Sequence, residues 1–202
     1  MNGFINELVG ATIQVLLFTL VPFIWWLITA RKKENFFKWI GFKKPEHKGN
    51  IYITLLIAVG AVLVYGFGTT ALVNMFSGEI TAAGSAFAGK GLSYIPAALA
   101  YGFIRTGLSE EILFRGFILK RIQNKFGFAA GNVIQALAFG LMHGVPFGIA
   151  THNIGVTILL TILPGMLGFF MGWLNEKKFA GSVVPGWILH GVTNAIVTII
   201  SL

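Results

Sequence analysis

The chain alternates between long apolar runs and short basic loops, and this alternation limits its possible folds more than any other feature. A helix needs about 20 apolar residues to cross the hydrocarbon core of a bilayer. Six runs come close to or exceed that length, over residues 8–30, 51–75, 92–121, 128–145, 154–174 and 183–202. The chain is also 55% hydrophobic, whereas soluble domains are nearer 45–50%. The sequence therefore predicts an all-α, polytopic membrane helix bundle of about six transmembrane helices, folded as a single domain over 1–202.

The distribution of positive charge predicts how this bundle is oriented. Twelve of the 15 basic residues lie in the loops 31–50, 120–125 and 175–181, which fall on one side of a six-span protein. The opposite loops contain only Lys90. Because basic loops stay in the cytoplasm, both termini are expected outside. We expect a multi-pass protein of a bacterial cell membrane, and the net charge of +8 is assigned to orientation and anionic lipid rather than to nucleic acid.

The longest basic loop, 31–50, mixes lysines with aromatic residues. A short helix lying in the membrane interface would bury the rings and leave the lysines among the headgroups. We therefore expect an interfacial helix here, with anionic lipid as its partner. The apolar side chains that would anchor it are Phe36, Phe37, Trp39, Ile40 and Phe42.

A few polar residues lie within the apolar runs, and these are the candidates for chemistry. The chain has no cysteine, which excludes disulfides and thiol nucleophiles. A charged residue deep in a bilayer costs a few kcal/mol or more, so such residues usually face a water-filled cavity and mark a site. The candidates form three patterns: Glu110-Glu111-x-x-x-Arg115, Phe139-x-x-x-His143 and His190-x-x-x-Asn194.

The two adjacent glutamates are expected to have different roles. Glu111 and Arg115 are four residues apart, so they share a helix face and can form an ion pair. Glu110 has no charged partner at that spacing, and a desolvated, unpaired carboxylate suits a general base or acid. The dipeptide Thr106-Gly107 predicts a helix interruption that lets water reach the site. Phe139 is expected to pack in the core.

The histidines and an asparagine supply further polar groups. Asn194 follows His190 by four residues, so its amide lies on the same helix face and can donate a hydrogen bond. Counted from the cytoplasmic loops, Glu110 and His190 lie at similar depths and His143 lies deeper. His47 and His152 fall in loops and are assigned to ordinary packing or hydrogen bonding.

In order and in apolar helices, the three patterns resemble those of the CAAX prenyl endopeptidases and bacteriocin-processing or self-immunity proteins, the CPBP or Abi family. The motif core would extend over 92–202. The resemblance implies an intramembrane endopeptidase in which Glu110 activates a water molecule with His143. His190 and Asn194 would stabilise the oxyanion, while Glu111 and Arg115, with Phe139, support the site.

The resemblance leaves the question of a metal open. Members of the family are also described as metalloproteases, and a carboxylate with two imidazoles can bind zinc. The chain has no His-Glu-x-x-His pattern, and we expect no metal or other cofactor. The alternative is zinc held by Glu110, His143 and His190.

Three functions are compatible with these residues. The first is hydrolysis of a membrane-associated peptide or protein, such as a leader peptide or a peptide precursor. The second is a non-catalytic bacteriocin self-immunity or peptide-binding membrane protein. The third is a proton-coupled transporter, which is disfavoured because the chain shows no internal repeat.

Overall fold

The computed structural model describes residues 2–76 and 84–202, so part of the predicted loop after the second span, 77–83, lies outside the described residues. Every regular element in the described part is helical, as the sequence predicts. The α-helices are α1 Asn2–Thr29, α2 Phe36–Trp39, α3 Ile51–Met75, α4 Ile95–Ala100, α5 Lys120–Thr151, α6 Ile154–Trp173 and α7 Val184–Ile200. Wider π-helical segments cover Tyr101–Leu108, Glu111–Leu119 and Leu174–Lys178, and 3₁₀ turns cover Ser85–Phe87 and Leu92–Tyr94.

Four helical stretches of the described residues are long and apolar enough to cross a membrane, and α7 is a shorter apolar helix. The stretches are Gly3–Thr29, Ile51–Thr69, Leu92–Thr151 and Ile154–Lys178. At about 1.5 Å per residue, the third is roughly three times the thickness of a hydrocarbon core. It bends at Gly127, whose φ of 84° and ψ of 165° are not helical. Two spans therefore lie within it, and the six expected spans are all present as helices.

Two predicted boundaries are wrong. The third span continues as helix through residues 120–126, which were expected to form a loop, and stops only at Gly127. Lys120 holds this extension, because its ammonium group donates to Glu176 and to the Gly181 carbonyl, both at 2.7 Å. The first helix begins at Asn2 rather than residue 8, which places Glu7 inside it.

The predicted interfacial helix is a single turn, α2, and most of its rings face the protein. Asn35 caps the turn by accepting a hydrogen bond from the Phe37 backbone at 2.9 Å. Phe36 and Trp39 are buried, with Ile40, against Ile112 of the third span. Phe37 is exposed, as are the lysines of the segment. The tryptophan and one phenylalanine therefore anchor the loop to the bundle, which corrects the prediction that they enter the lipid.

Both termini lie at one end of the bundle. The Gly89 and Gly91 amides donate to the carbonyls of Ser201 and Leu202 at 3.1 and 3.0 Å, and Gly3 lies against the Tyr94 ring. The basic loops meet at the opposite end, where the Lys48 amide donates to the Lys178 carbonyl at 2.8 Å. This arrangement agrees with an even number of spans.

Candidate active site

Glu110 lies between two π-helical segments, Tyr101–Leu108 and Glu111–Leu119. The predicted interruption at Thr106-Gly107 is therefore a widened helix rather than a break. Gly102 lets this helix approach α7, because a Cβ atom there would lie 2.7 Å from the Ala195 nitrogen. Wide π-turns occur frequently at functional sites. The one-residue register shift they introduce leaves no signal in hydropathy, so the sequence could not predict them.

The predicted ion pair of Glu111 and Arg115 forms in the interior. Arg115 Nη1 lies 2.9 Å from Glu111 Oε1, and both side chains are 1% exposed. The guanidinium carbon also lies 4.2 Å from the centre of the Phe139 ring, a cation–π contact. Phe139 thus packs in the core, as expected, and also covers one face of the charged pair.

Asn175 is a partner of Glu111 that the sequence did not identify. Its amide Nδ2 donates to Glu111 Oε2 at 3.4 Å, and its Oδ1 accepts from the Gly186 amide at 2.8 Å. The residue lies in the third π-helical segment and is buried. From the sequence, Asn175 is placed in the basic loop 175–181, because it follows an apolar run and precedes Glu176. Its amide side chain, directly after the run, is the feature of the sequence that could have pointed to a buried partner.

His190 bridges the two glutamates. Its Nδ1 lies 3.4 Å from Glu111 Oε1, and its Nε2 lies 3.6 Å from Glu110 Oε2. The ring also meets Phe139 edge-on, with the ring centres 5.8 Å apart. Both nitrogens of the imidazole therefore face carboxylates, and α7 is tied to the helix that carries Glu110.

His143 has a defined hydrogen-bonding pattern. Its Nδ1 lies 2.8 Å from the Phe139 carbonyl oxygen, one turn earlier in α5. A carbonyl oxygen only accepts, so Nδ1 carries the proton that is donated. In the neutral ring Nε2 is then left as an acceptor. The ring packs on Phe139 at a centre-to-centre distance of 4.6 Å.

Asn194 is held by Thr106. Its Nδ2 donates to the Thr106 hydroxyl at 2.9 Å. That hydroxyl donates in turn to the backbone carbonyls of Tyr101 and Gly102, each at 3.1 Å. One of the two amide protons of Asn194 is therefore used within the wall of the site, and the other remains for a ligand.

One cavity joins the four residues predicted to be catalytic. It has a volume of about 920 Å³ and is lined by Glu110, His143, His190 and Asn194, with Phe139 beside them. Glu110 Oε2 is buried and has no hydrogen-bond partner among the described residues. Cavities of this size, mostly apolar with a few convergent polar groups, are typical of ligand sites. The supporting pair, Glu111 and Arg115, lies behind this wall.

The cavity extends to a second polar group that the sequence did not predict. Arg105 Nη1 lies 3.2 Å from Glu7 Oε2, and its Nε donates to Gln14 Oε1 at 3.3 Å. Gln14 donates in turn to the hydroxyl of Ser109, the neighbour of Glu110, at 3.3 Å. Glu7 and Gln14 belong to α1, so contacts between distant parts of the chain create this group. Glu7, Gln14 and Arg105 line the part of the cavity that extends towards Lys90, at the end of the bundle where both termini lie.

The residues of the zinc alternative do not fit a metal site. Among the residues that the structure describes, no three histidine or glutamate side chains are grouped so that they could hold a metal ion. Glu110 and His190 approach each other, but the imidazole of His190 is shared with Glu111.

The two remaining histidines lie away from the cavity. His47 Nε2 lies 3.0 Å from the Thr54 hydroxyl, and its ring packs against Phe179. His152 ends α5 with a left-handed backbone, at a φ of 53°. Their geometry agrees with ordinary structural roles.

The comparisons with known proteins concern the part of the chain that carries these residues. No curated protein and no solved structure matches the chain. A family model described as type II CAAX prenyl endopeptidase, Rce1-like, matches residues 92–196, just over half of the chain. The matched region contains all of the predicted site residues, from Glu110 to Asn194. The chain therefore belongs to this CAAX protease family and, with its apolar spans, is an integral membrane protein.

Proposed function

We propose that this protein is an intramembrane endopeptidase that hydrolyses a peptide bond of a membrane-associated peptide or protein by means of a water molecule activated by Glu110. One observation supports this most strongly. The unpartnered Glu110 Oε2 lies in the wall of a cavity that also contains His143, His190 and Asn194. A general base needs a free acceptor within reach of its proton source, and the cavity provides room for both water and a peptide.

The hydrolytic step follows from the positions of these groups. Water attacks the carbonyl carbon of the peptide bond and gives one proton to Glu110. When the tetrahedral intermediate collapses, the C–N bond breaks and Glu110 returns the proton to the leaving amine. His143 Nε2, which is free to accept, orients the water from the α5 side.

The remaining site residues stabilise charge and position. His190 and the second amide proton of Asn194 are assigned to the oxyanion, a contact worth roughly 3–4 kcal/mol per donor when preorganised. Glu111, Arg115 and Phe139 fix the ring of His190 and the helix that carries Glu110. The proposed mechanism assigns no step to a metal.

The catalytic role of Glu110 is tested with purified protein in detergent and a library of quenched fluorescent peptides. Glu110→Gln and His143→Ala should each abolish cleavage, because the first removes the base and the second an acceptor for the water. Glu46→Gln is the matched control, since this glutamate is exposed in a basic loop. Full cleavage by Glu110→Gln would contradict the proposal. If wild-type protein cleaves nothing and Glu110→Gln still protects cells from a bacteriocin, the peptide-binding function is supported instead.

A separate experiment tests whether cleavage requires a metal ion. Cleavage should persist after incubation with a strong zinc chelator, because no step is assigned to a metal. Loss of cleavage that added zinc restores would show that the carboxylate and imidazoles rearrange around an ion.

A further inference from the structure

Tyr65 of α3 reaches the same cavity from outside the region matched by the family model. It lines the cavity with Glu110 and His143. Its ring packs against the buried cluster that contains Phe114 and Phe139. The position of the ring is therefore fixed by the core around the proposed base, although α3 carries none of the family motifs.

The hydroxyl group of Tyr65 has no hydrogen-bond partner among the residues that the structure describes. The neighbouring Thr69, one turn later and also in the cavity wall, is different, because its hydroxyl donates to the Tyr65 and Gly66 carbonyls at 2.9 and 3.0 Å. Tyr65 and Glu110 lie in the wall of the same cavity, and Glu110 Oε2 is buried without a hydrogen-bond partner among the described residues. A donor and an acceptor that both lack a hydrogen bond thus line one cavity.

The donors assigned to the oxyanion are partly occupied. His190 Nδ1 lies 3.4 Å from Glu111 Oε1, and its Nε2 is 3.6 Å from Glu110 Oε2, beyond hydrogen-bond distance. Asn194 gives one proton to Thr106 at 2.9 Å. A hydrogen-bond donor stabilises a developing oxyanion most when it does not first have to break a hydrogen bond to another group. Such a preorganised donor requires no rearrangement during the reaction. Tyr65 meets this condition.

We propose that Tyr65 is a further catalytic residue whose hydroxyl donates a hydrogen bond to the oxyanion of the tetrahedral intermediate. This inference rests on the proposed endopeptidase function. In the step, water forms a bond to the carbonyl carbon, the π electrons move to the carbonyl oxygen, and Glu110 takes the proton. Tyr65 keeps its own proton throughout and releases the hydrogen bond when the C–N bond breaks.

The kinetic test uses Tyr65→Phe and the best-cleaved peptide from the library. The substitution removes one oxygen atom and keeps the ring, so the melting temperature in detergent should stay unchanged. Loss of one oxyanion donor should lower kcat by about 10²-fold, whereas KM should change by less than about twofold because the contact exists only in the transition state. Tyr52→Phe is the matched control, since this tyrosine lies in the same helix and is 80% exposed.

A binding measurement separates a catalytic role from a structural one. A peptide aldehyde of the same sequence forms a hydrate that resembles the tetrahedral intermediate, and a reduced-amide peptide does not. Tyr65→Phe should weaken binding of the aldehyde by about 10²-fold, the same factor as for kcat. Binding of the reduced-amide peptide should stay unchanged. Unchanged kcat and aldehyde affinity, with Glu110→Gln inactive, would overturn the role of Tyr65 alone. Activity of Glu110→Gln, or no cleavage by wild type, would overturn the endopeptidase proposal and this inference with it.

Discussion

Glu111 has three polar neighbours in a part of the protein that is closed to solvent. Arg115 neutralises its charge at 2.9 Å, and His190 and Asn175 approach its two oxygens. Burying a carboxylate is costly unless it is paired, and removing one member of a buried pair leaves the other uncompensated. The stability of the helix that carries Glu110 should therefore depend on Arg115 rather than on the charges at the surface.

We predict that Arg115→Met lowers the free energy of unfolding by about 3–5 kcal/mol, because Glu111 loses its cation. Thermal unfolding in detergent measures the change, and the double variant Glu111→Gln/Arg115→Met should recover part of it. The control is Glu34→Gln, which breaks a pair with Lys38 at 3.7 Å in which both side chains contact solvent, and should change stability by less than about 1 kcal/mol. Equal losses in the two variants would contradict the prediction.

Of the three polar neighbours of Glu111, the sequence predicted only Arg115. Arg115 was predictable because it lies one helical turn from Glu111, and the periodicity of a helix places such residues together. The approach of His190 and Asn175 depends on how α7 and the third π-helical segment pack, which a single sequence does not encode locally. The same reason explains why the group of Glu7, Gln14 and Arg105 was not predicted.

The pairing of α5 with α6 depends on glycines at their contact. A Cβ atom on Gly140 would lie 2.1 Å from the Thr161 carbonyl oxygen, and one on Gly144 would lie 2.4 Å from that of Thr157. Backbone atoms cannot turn away as side chains do, so any larger residue would push the helices apart. Small residues four apart on one helix face are typical of such close contacts between membrane helices. Its importance for the site is that α5 carries Phe139 and His143.

We predict that Gly140→Ala lowers the free energy of unfolding by about 1–3 kcal/mol, as overpacking usually does. Gly60→Ala in α3 is the matched control, because a Cβ atom there would have no neighbour within 4 Å. That change should leave stability unchanged or raise it by up to about 1 kcal/mol, since alanine favours a helix more than glycine does. Melting curves of the two variants in one detergent compare them directly, and a stable Gly140→Ala would show that the helices separate without cost.

At the scale of the whole molecule, charge and shape divide the bundle into two ends. The basic loops lie at one end, where Lys120 and Gln123 bind Glu176. The cavity leads towards the other end, past Arg105 to Lys90, where both termini lie. Six helical spans and the charge asymmetry were readable from the sequence because each follows from composition along a continuous segment. A cavity beside the motif residues was expected, but its extent and the walls that α1 and α3 supply were not readable, because they depend on how distant segments pack.

We predict that the cavity opens on the outer side of the membrane, since the positive-inside rule places the basic loops in the cytoplasm. The chain has no cysteine, so single cysteines can be introduced without background. On intact cells a membrane-impermeant maleimide should label Lys90→Cys and should label Lys44→Cys only after permeabilisation. Both lysines are exposed in the wild-type chain. The reverse labelling pattern would place both termini and the open side of the cavity in the cytoplasm.

The contributions of α1 and α3 to the cavity wall limit how far the chain can be shortened. A chain that began at residue 92 would keep every motif residue, from Glu110 to Asn194, yet it would lose Glu7, Gln14 and Tyr65. Arg105 would then lose its carboxylate partner, and the cavity would lose the part of its wall that α1 and α3 supply. We therefore expect the motif-bearing half alone to lack a closed cavity.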